Sequence, residues 1–286
     1  MLFTRDFIFI HMPKNVGSFV EEVLRKIYGR QDTTEKLYRK FAAPMIAKIE
    51  NREPHCFRAV PFQLIMRGYA EALIHGHCYS LPEKYAHRKL LAVLRDPLDR
   101  YISEYEFRWW SFSGRKHPQH DKIIAEYPHW PHEHSFSEEI EIRHRFHTQW
   151  QMNLCPSDRV GIQTEHFIRF FCREPRALLA KGGKLTLKEV CNALYPVHFL
   201  NMENVNSELA SFLKIQGCSQ QQCAIAEEHQ KVLPAGRGRA KHGDIDDYFT
   251  AEMRERVENR ETLLTNIWKA VRKGDHTAEA LQTRFA

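Results

Sequence analysis

The chain has 286 residues, of which 43% are hydrophobic, 27% charged and 12% aromatic. These proportions exclude a disordered chain, a collagen-like fibre and a small disulfide scaffold, and they supply ample material for a core. The net charge of +6 suits an anionic partner (a nucleotide, a polyphosphate, an acidic glycan or a nucleic acid) without requiring one.

One large domain or two small ones fit this length. There is no internal repeat, low-complexity tract or clean linker, so a single α/β domain over 1–286 is the simplest expectation. No apolar run is long enough to predict a membrane span. Residues 1–6 lead into a short apolar stretch without a basic n-region, so no signal peptide is expected. The seven cysteines, an odd number with no C-x-x-C pair, suit reduced thiols in a cytoplasmic protein.

Phe7-Ile8-Phe9-Ile10 is an apolar run of strand length and predicts a strand buried on both faces. A loop at 11–17 leads into 18–29, where apolar positions 19, 20, 23, 24, 27 and 28 have helical spacing. Glu21 and Glu22 fall in the predicted first turn, Lys26 in the last, and Gly29 closes the end. Such a strand–loop–helix unit opens many α/β nucleotide-binding folds. Residues 33–50 and 62–73 read as helices and 72–77 as a strand ending in a turn. Leu90 to Leu94 predicts a second buried strand, after which Asp96 as N-cap and Pro97 as first helical residue start a helix to about Trp109. Residues 111–135, rich in His, Pro, Ser and Trp and without periodicity, predict a long loop insertion. Segments 138–150, 186–194, 204–215 and 219–232 predict helices, and 197–200 a further strand. A basic loop at 234–247 precedes one final helix over 250–273.

Two segments carry chemistry. In Pro13-Lys14-Asn15-Val16-Gly17-Ser18, between strand and helix, successive backbone N–H groups point at one spot and the helix dipole favours an anion. Ser18 adds a hydroxyl and Lys14 a full positive charge; an ordinary turn with a surface lysine is the alternative. The segment is not a Walker A loop, because the lysine precedes the glycine instead of lying between Gly and Ser/Thr. In the second segment, 94–103, Arg95 ends the strand and Ser103 lies seven residues after the cap Asp96, about two turns on and facing the same side. An Arg and a Ser converging at a strand end make a second phosphate site. Singly, a salt bridge for Arg95 and a helix-surface hydroxyl for Ser103 are the alternatives.

Together the two segments resemble the sulfotransferases that use 3′-phosphoadenosine 5′-phosphosulfate. PKNVGS is similar to that family's 5′-phosphosulfate loop and LRDPLDRYISEY to its 3′-phosphate motif, in the usual order and separation. Residues 75–107, with His75-Gly76-His77, resemble the uronic-acid 2-O-sulfotransferases among the carbohydrate enzymes; the resemblance is specific over 5–29 and 75–107 and loose over 160–273. It implies a P-loop-like three-layer α/β fold with a central parallel sheet, and 111–135 on the acceptor side. It implies sulfuryl transfer to a hydroxyl acceptor, most simply a saccharide, with adenosine 3′,5′-bisphosphate as product, no metal and no nucleic-acid partner. Lys14, Asn15, Val16, Gly17, Ser18 and Phe19 would hold the 5′ end of the donor, and Arg95 and Ser103 its 3′-phosphate. Arg237, Gly238, Arg239 and Lys241 would close over the nucleotide. Lys14 would stabilise the leaving phosphate oxygen and His77 take the acceptor's proton, with His75 supporting or replacing it. Two positions depart from the pattern: Val16 stands where a small residue is usual, and Phe19 where a second Thr or Ser often contacts phosphate.

Seven of the 17 histidines lie between 117 and 147, and His132-Glu133-His134 and His144 with His147 invite a zinc reading. No catalytic zinc signature and no cysteine accompanies them, so an acceptor-side groove is the simpler expectation. Trp109, Trp110 and Trp130 suit stacking on sugar rings or burial in the core, and Glu203 a structural role. Two rival functions are a nucleotide-dependent phosphotransferase, which lacks a Walker A loop and an evident Walker B acid, and a nucleotide- or glycan-binding protein without turnover, which Phe19 motivates.

Overall fold

The computed structural model describes residues 1–4, 6–28, 56–58, 76–81, 83–108, 117–146, 150–151, 153–230 and 244–286. The helices predicted over 33–50 and 62–73, most of the strand over 72–77 and most of the basic loop at 234–247 lie outside these residues.

Among the described residues the fold is α/β around one sheet of five strands: β1 Leu2–Thr4, β2 Phe7–Phe9, β3 Cys56–Arg58, β4 Lys89–Leu94 and β5 Val197–Asn201, in the order β3-β1-β2-β4-β5. The expected parallel sheet is present only in part. β2, β4 and β5 run parallel, but β1 pairs antiparallel with both β2 and β3, so the sheet is mixed. The cause is local. The Thr4 hydroxyl accepts from the amide of Phe7 at 3.0 Å and donates to its carbonyl at 2.8 Å, folding β1 back on β2 within a turn too short for a parallel crossover.

Alternation along the strands divides the core. Phe7, Phe9, Leu91 and Val93 pack with Phe19, Val20, Val23 and Leu24 of α1 (Gly17–Tyr28). Val205 and Leu209 of α8 (Val205–Ile215) and Cys223 of α9 (Gln220–Glu228) complete that layer. On the other face Ile8, Ile10, Leu90, Ala92 and Leu94 meet Phe167, Ile168 and Phe171 of α5 (Ile162–Phe171). α7 (Leu187–Asn192), α11 (Thr262–Arg272) and α12 (Ala278–Arg284) join them there. A third cluster unites Leu98, Tyr101 and Ile102 of α2 (Pro97–Glu106), Phe136 and Ile140 of α4 (Phe136–Phe146), Met253 and Val257 of α10 (Ala251–Arg260) and Ile162.

Several expectations need correction. The segment 111–135 is not all loop, since α3 spans His120–Glu126. The predicted single helix over 250–273 is interrupted at Glu261, whose φ of −94° and ψ of 10° depart from the helical values, and its side chain is buried. α5, α6 (Pro175–Leu179) and α12 had no prediction. α5 is buried nearly all round although Gln163, Thr164, Glu165, His166 and Arg169 are polar, because Glu165 and His166 find partners inside the fold. α1 begins at Gly17, which moves Glu21 and Glu22 out of the first turn. Among the described residues no helix is long and apolar enough to cross a membrane.

Candidate functional site

β2, β4 and β5 end on the same side of the sheet, because they are parallel. From β2 the chain enters α1, on the Phe7/Phe9 face. From β4 it enters α2, whose cluster adjoins the opposite layer through Ile162 of α5. A point where successive connections leave for opposite faces opens a crevice at the strand ends, the usual ligand site of open α/β sheets. Residues 13–14 meet Arg95 and Arg100 at these strand ends.

The loop after β2 is held in an uncommon conformation. Lys14 has φ 64° and Val16 φ 57°, both left-handed, and for a β-branched residue such as Val16 this is costly, on the order of 1–3 kcal/mol. Three contacts impose it. Asn15 is buried and donates to the Val93 carbonyl of β4 at 2.8 Å. Arg95 donates to the Lys14 carbonyl at 3.1 Å, and Arg100 to the Pro13 carbonyl at 3.1 Å. Gly17 follows because a Cβ there would lie 2.0 Å from the ring of His11. That ring is fixed in turn by Glu21, 2.9 Å from Nδ1. Glu21 is therefore a buried partner of His11 and not the dipole-compensating residue its position suggested.

Arg95, Asp99, Ser103 and Phe107 recur every fourth residue, as one stripe along α2 and its two ends. Arg95 donates to Asp99 at 2.5 Å, so two of its five N–H donors serve Asp99 and the loop. Ser103 is half-buried and its hydroxyl makes no hydrogen bond to a described residue. The Lys14 ammonium lies over the Phe107 ring, 2.9 Å from its centroid, and forms no ion pair with a described residue. Burial lowers this ammonium to about 7; Glu104 opposes the shift, and Arg95 and Arg100 reinforce it. Asp96 caps α2 as predicted, accepting from the amides of Leu98 at 2.7 Å and Asp99 at 3.3 Å.

Beneath the stripe runs a buried ionic network. Arg100 is 1% exposed and pairs with Glu104 at 3.2 Å. Arg143 of α4 bonds both Glu104 and, at 2.5 Å, Glu139. Burial alone would raise the Glu104 carboxyl, but Arg143 and Arg100 outweigh it and hold it at about 2.

His77 borders the same end. The register Leu2↔Phe9 sets Met1 beside the exit of β2, and Gly76 packs so closely on Met1 that a Cβ would lie 2.1 Å from its Cε. The His77 ring stacks on Tyr79 and contacts Phe170, with centroids 5.2 and 4.5 Å away, and its Nδ1 has no hydrogen-bond partner among the described residues. Burial, with Arg169 and the N-terminal amine adding repulsion, depresses the imidazole to about 3. It is neutral at pH 7, as a base must be, but it is a weak one.

The other predicted residues separate. Ser18 is exposed in the first turn of α1, beside the amides of Gly17 and Phe19. Phe19 is 1% exposed in the sheet–helix core, so its side chain is not a ligand contact and only its backbone N–H is placed at the helix terminus. His75, Arg237, Gly238, Arg239, Lys241, Trp109 and Trp110 lie outside the described residues. Trp130 is buried with Ile123, Ile142 and Phe146, which removes it from sugar stacking. His134 pairs with Glu139 at 2.7 Å and His144 approaches the Tyr101 hydroxyl at 3.3 Å. Among the described residues no group of three or more His, Cys, Asp or Glu is placed to hold a metal ion. Glu203 forms an ion pair with Arg272 at 3.1 Å.

Arg100 and Glu104 lie within the segment that resembles the 3′-phosphate motif and His11 within the loop after β2, but the sequence assigned none of the three a role of its own. The i, i+4 spacing of Arg100 and Glu104 was visible, but that pattern ordinarily marks a solvated helix face. No family model matches this chain, and comparisons with curated proteins and with solved structures give no match either.

Proposed function

We propose that this protein binds 3′-phosphoadenosine 5′-phosphosulfate at the Lys14 loop and transfers its sulfuryl group to a hydroxyl acceptor, most simply a saccharide, within a P-loop-like fold. One observation carries the proposal: the Lys14 loop after β2 and the start of the Arg95–Ser103 stripe after β4 lie side by side at the strand ends, joined by the bond from Arg95 to the Lys14 carbonyl. In an in-line transfer the bond from sulfur to the bridging phosphate oxygen breaks as the acceptor oxygen attacks. Lys14 stabilises the charge left on the phosphate. His77 takes the acceptor's proton, and Ser18 with the amides at the start of α1 binds the 5′-phosphate. Arg95 and Ser103 hold the 3′-phosphate. None of these steps calls for a metal.

Calorimetry tests the nucleotide site. The protein should bind adenosine 3′,5′-bisphosphate more tightly than adenosine 5′-monophosphate, and Arg95→Ala should erase most of the difference. Equal affinities would refute the 3′-phosphate assignment. An acceptor screen with labelled donor tests the chemistry. The low basicity of buried His77 favours one second reading, a nucleotide-binding protein without turnover. Tight binding with no transfer to any acceptor would select it.

A further inference from the structure

We propose that Arg100 is a positioning residue that aims the amides of the Lys14 loop at the bound anion, an assignment that rests on the reading of this loop as the nucleotide site. A trans peptide is planar, so its C=O and N–H point in opposite directions. Arg100 Nε holds the Pro13 carbonyl at 3.1 Å and thereby turns the Lys14 N–H the opposite way. Arg95 Nη1 holds the Lys14 carbonyl at 3.1 Å and does the same for the Asn15 N–H. Two consecutive amides, each directed away from a guanidinium, form the concave donor pair that binds phosphate oxygens. The left-handed φ values of Lys14 and Val16 show that the loop would not hold this shape unaided.

Arg100 is built for the task. Its Nη2 lies 3.2 Å from Glu104 Oε1 and 3.2 Å from His166 Nδ1, so the fork is clamped by α2 and α5 while Nε serves the loop. Glu104 is itself held by Arg143 and by the Gln163 amide at 3.0 Å. The loop is thus referenced to α2, α4 and α5 at once. A lysine at position 100 would keep the charge beside Glu104, but a single ammonium cannot also reproduce the Nε bond to Pro13.

The test compares Arg100→Lys and Arg100→Gln with the wild type by three measurements: melting temperature, calorimetric affinity for adenosine 3′,5′-bisphosphate, and hydrogen exchange resolved at the amides of 14 and 15. A folded Arg100→Lys variant should bind about tenfold more weakly, a loss on the scale of one charge-assisted hydrogen bond. Exchange should quicken at those two amides, with β4 unchanged. A merely structural role would lower the melting temperature and leave both local readouts alone. Wild-type affinity and wild-type loop exchange in a folded variant overturn the proposal, as does failure of both variants to fold, which assigns Arg100 to the core alone. If the wild type itself does not bind the bisphosphate, the nucleotide reading fails, and loop exchange still decides whether Arg100 orders the amides.

Discussion

Lys14 answers to two opposed demands. Burial against Phe107 lowers its ammonium to about 7, yet the proposed chemistry needs the charge. Lys14→Met should therefore stabilise the free protein, by about 0.5–2 kcal/mol in chemical denaturation, while removing most of the bisphosphate affinity. The pH dependence follows with a definite sign. An anion favours protonated Lys14, so binding raises the ammonium's pKa. Affinity should hold below pH 7 and decline as pH rises through the value in the complex. Proton uptake on binding above pH 7, read by calorimetry in buffers of different ionisation enthalpy, checks the assignment; affinity constant from pH 6 to 9 would refute it. Gly17→Ala probes the same loop from below. Its methyl would strike the His11 ring, which Glu21 holds in place, and the expected cost is about 1–3 kcal/mol.

At the scale of elements, two buried carboxylates tie helices together. Glu261, between α10 and α11, is fully buried. It accepts from Tyr101 of α2 at 2.6 Å and from the amides of Gln163 and Thr164 at 2.9 and 2.7 Å. It caps α5 in place of a local side chain, since the N-cap residue is Gly161 and a Cβ there would lie 2.2 Å from the Glu261 carboxylate. Glu261→Ala leaves those donors unpaired and should cost about 3–5 kcal/mol in urea denaturation. Arg143→Met, which strips Glu104 and Glu139 of their shared partner, should cost a similar amount, about 3–5 kcal/mol. Arg254 supplies the contrast. It pairs with Asp246 and Glu258 at 3.1 and 3.0 Å, but its side chain is 43% exposed, so Arg254→Ala should stay within about 0.5 kcal/mol of wild type.

Across the whole molecule, the layers share residues. Ile162 belongs to the α2–α4–α10 cluster, while Phe167 and Ile168 of the same helix belong to the sheet's core. Tyr101 and Glu261 couple α2 to the α10–α11 junction. The described residues should therefore unfold as a unit. Tryptophan fluorescence, which includes Trp268 in the sheet core and Trp130 in the cluster around α4, should give the same urea midpoint as far-ultraviolet circular dichroism. Separated midpoints would show that the α2–α4–α10 cluster is independent of the sheet.

What the sequence determined by itself is local in origin. The apolar runs at 7–10 and 90–94 specify buried strands because only a covered strand tolerates hydrophobic residues on both faces. Asp96-Pro97 starts α2 because the cap acceptor and the fixed proline φ act within one turn. The strand–loop–helix order around Lys14, Gly17 and Ser18 is legible because an apolar run meets a helical spacing there, and the anion site proposed for it rests on the backbone donors that every helix start presents. Tertiary structure decided the rest. β1 reverses direction through a Thr4 turn that composition does not advertise, so a parallel expectation became a mixed sheet. Phe19 turned from a doubtful ligand into core because the rotation of α1 is set by the sheet it covers. Arg100, Glu104, Arg143 and Glu261 look in sequence like charges on solvated helices. Only the meeting of α2, α4, α5 and α10 takes them out of water, and a charge out of water must find its partner across the fold.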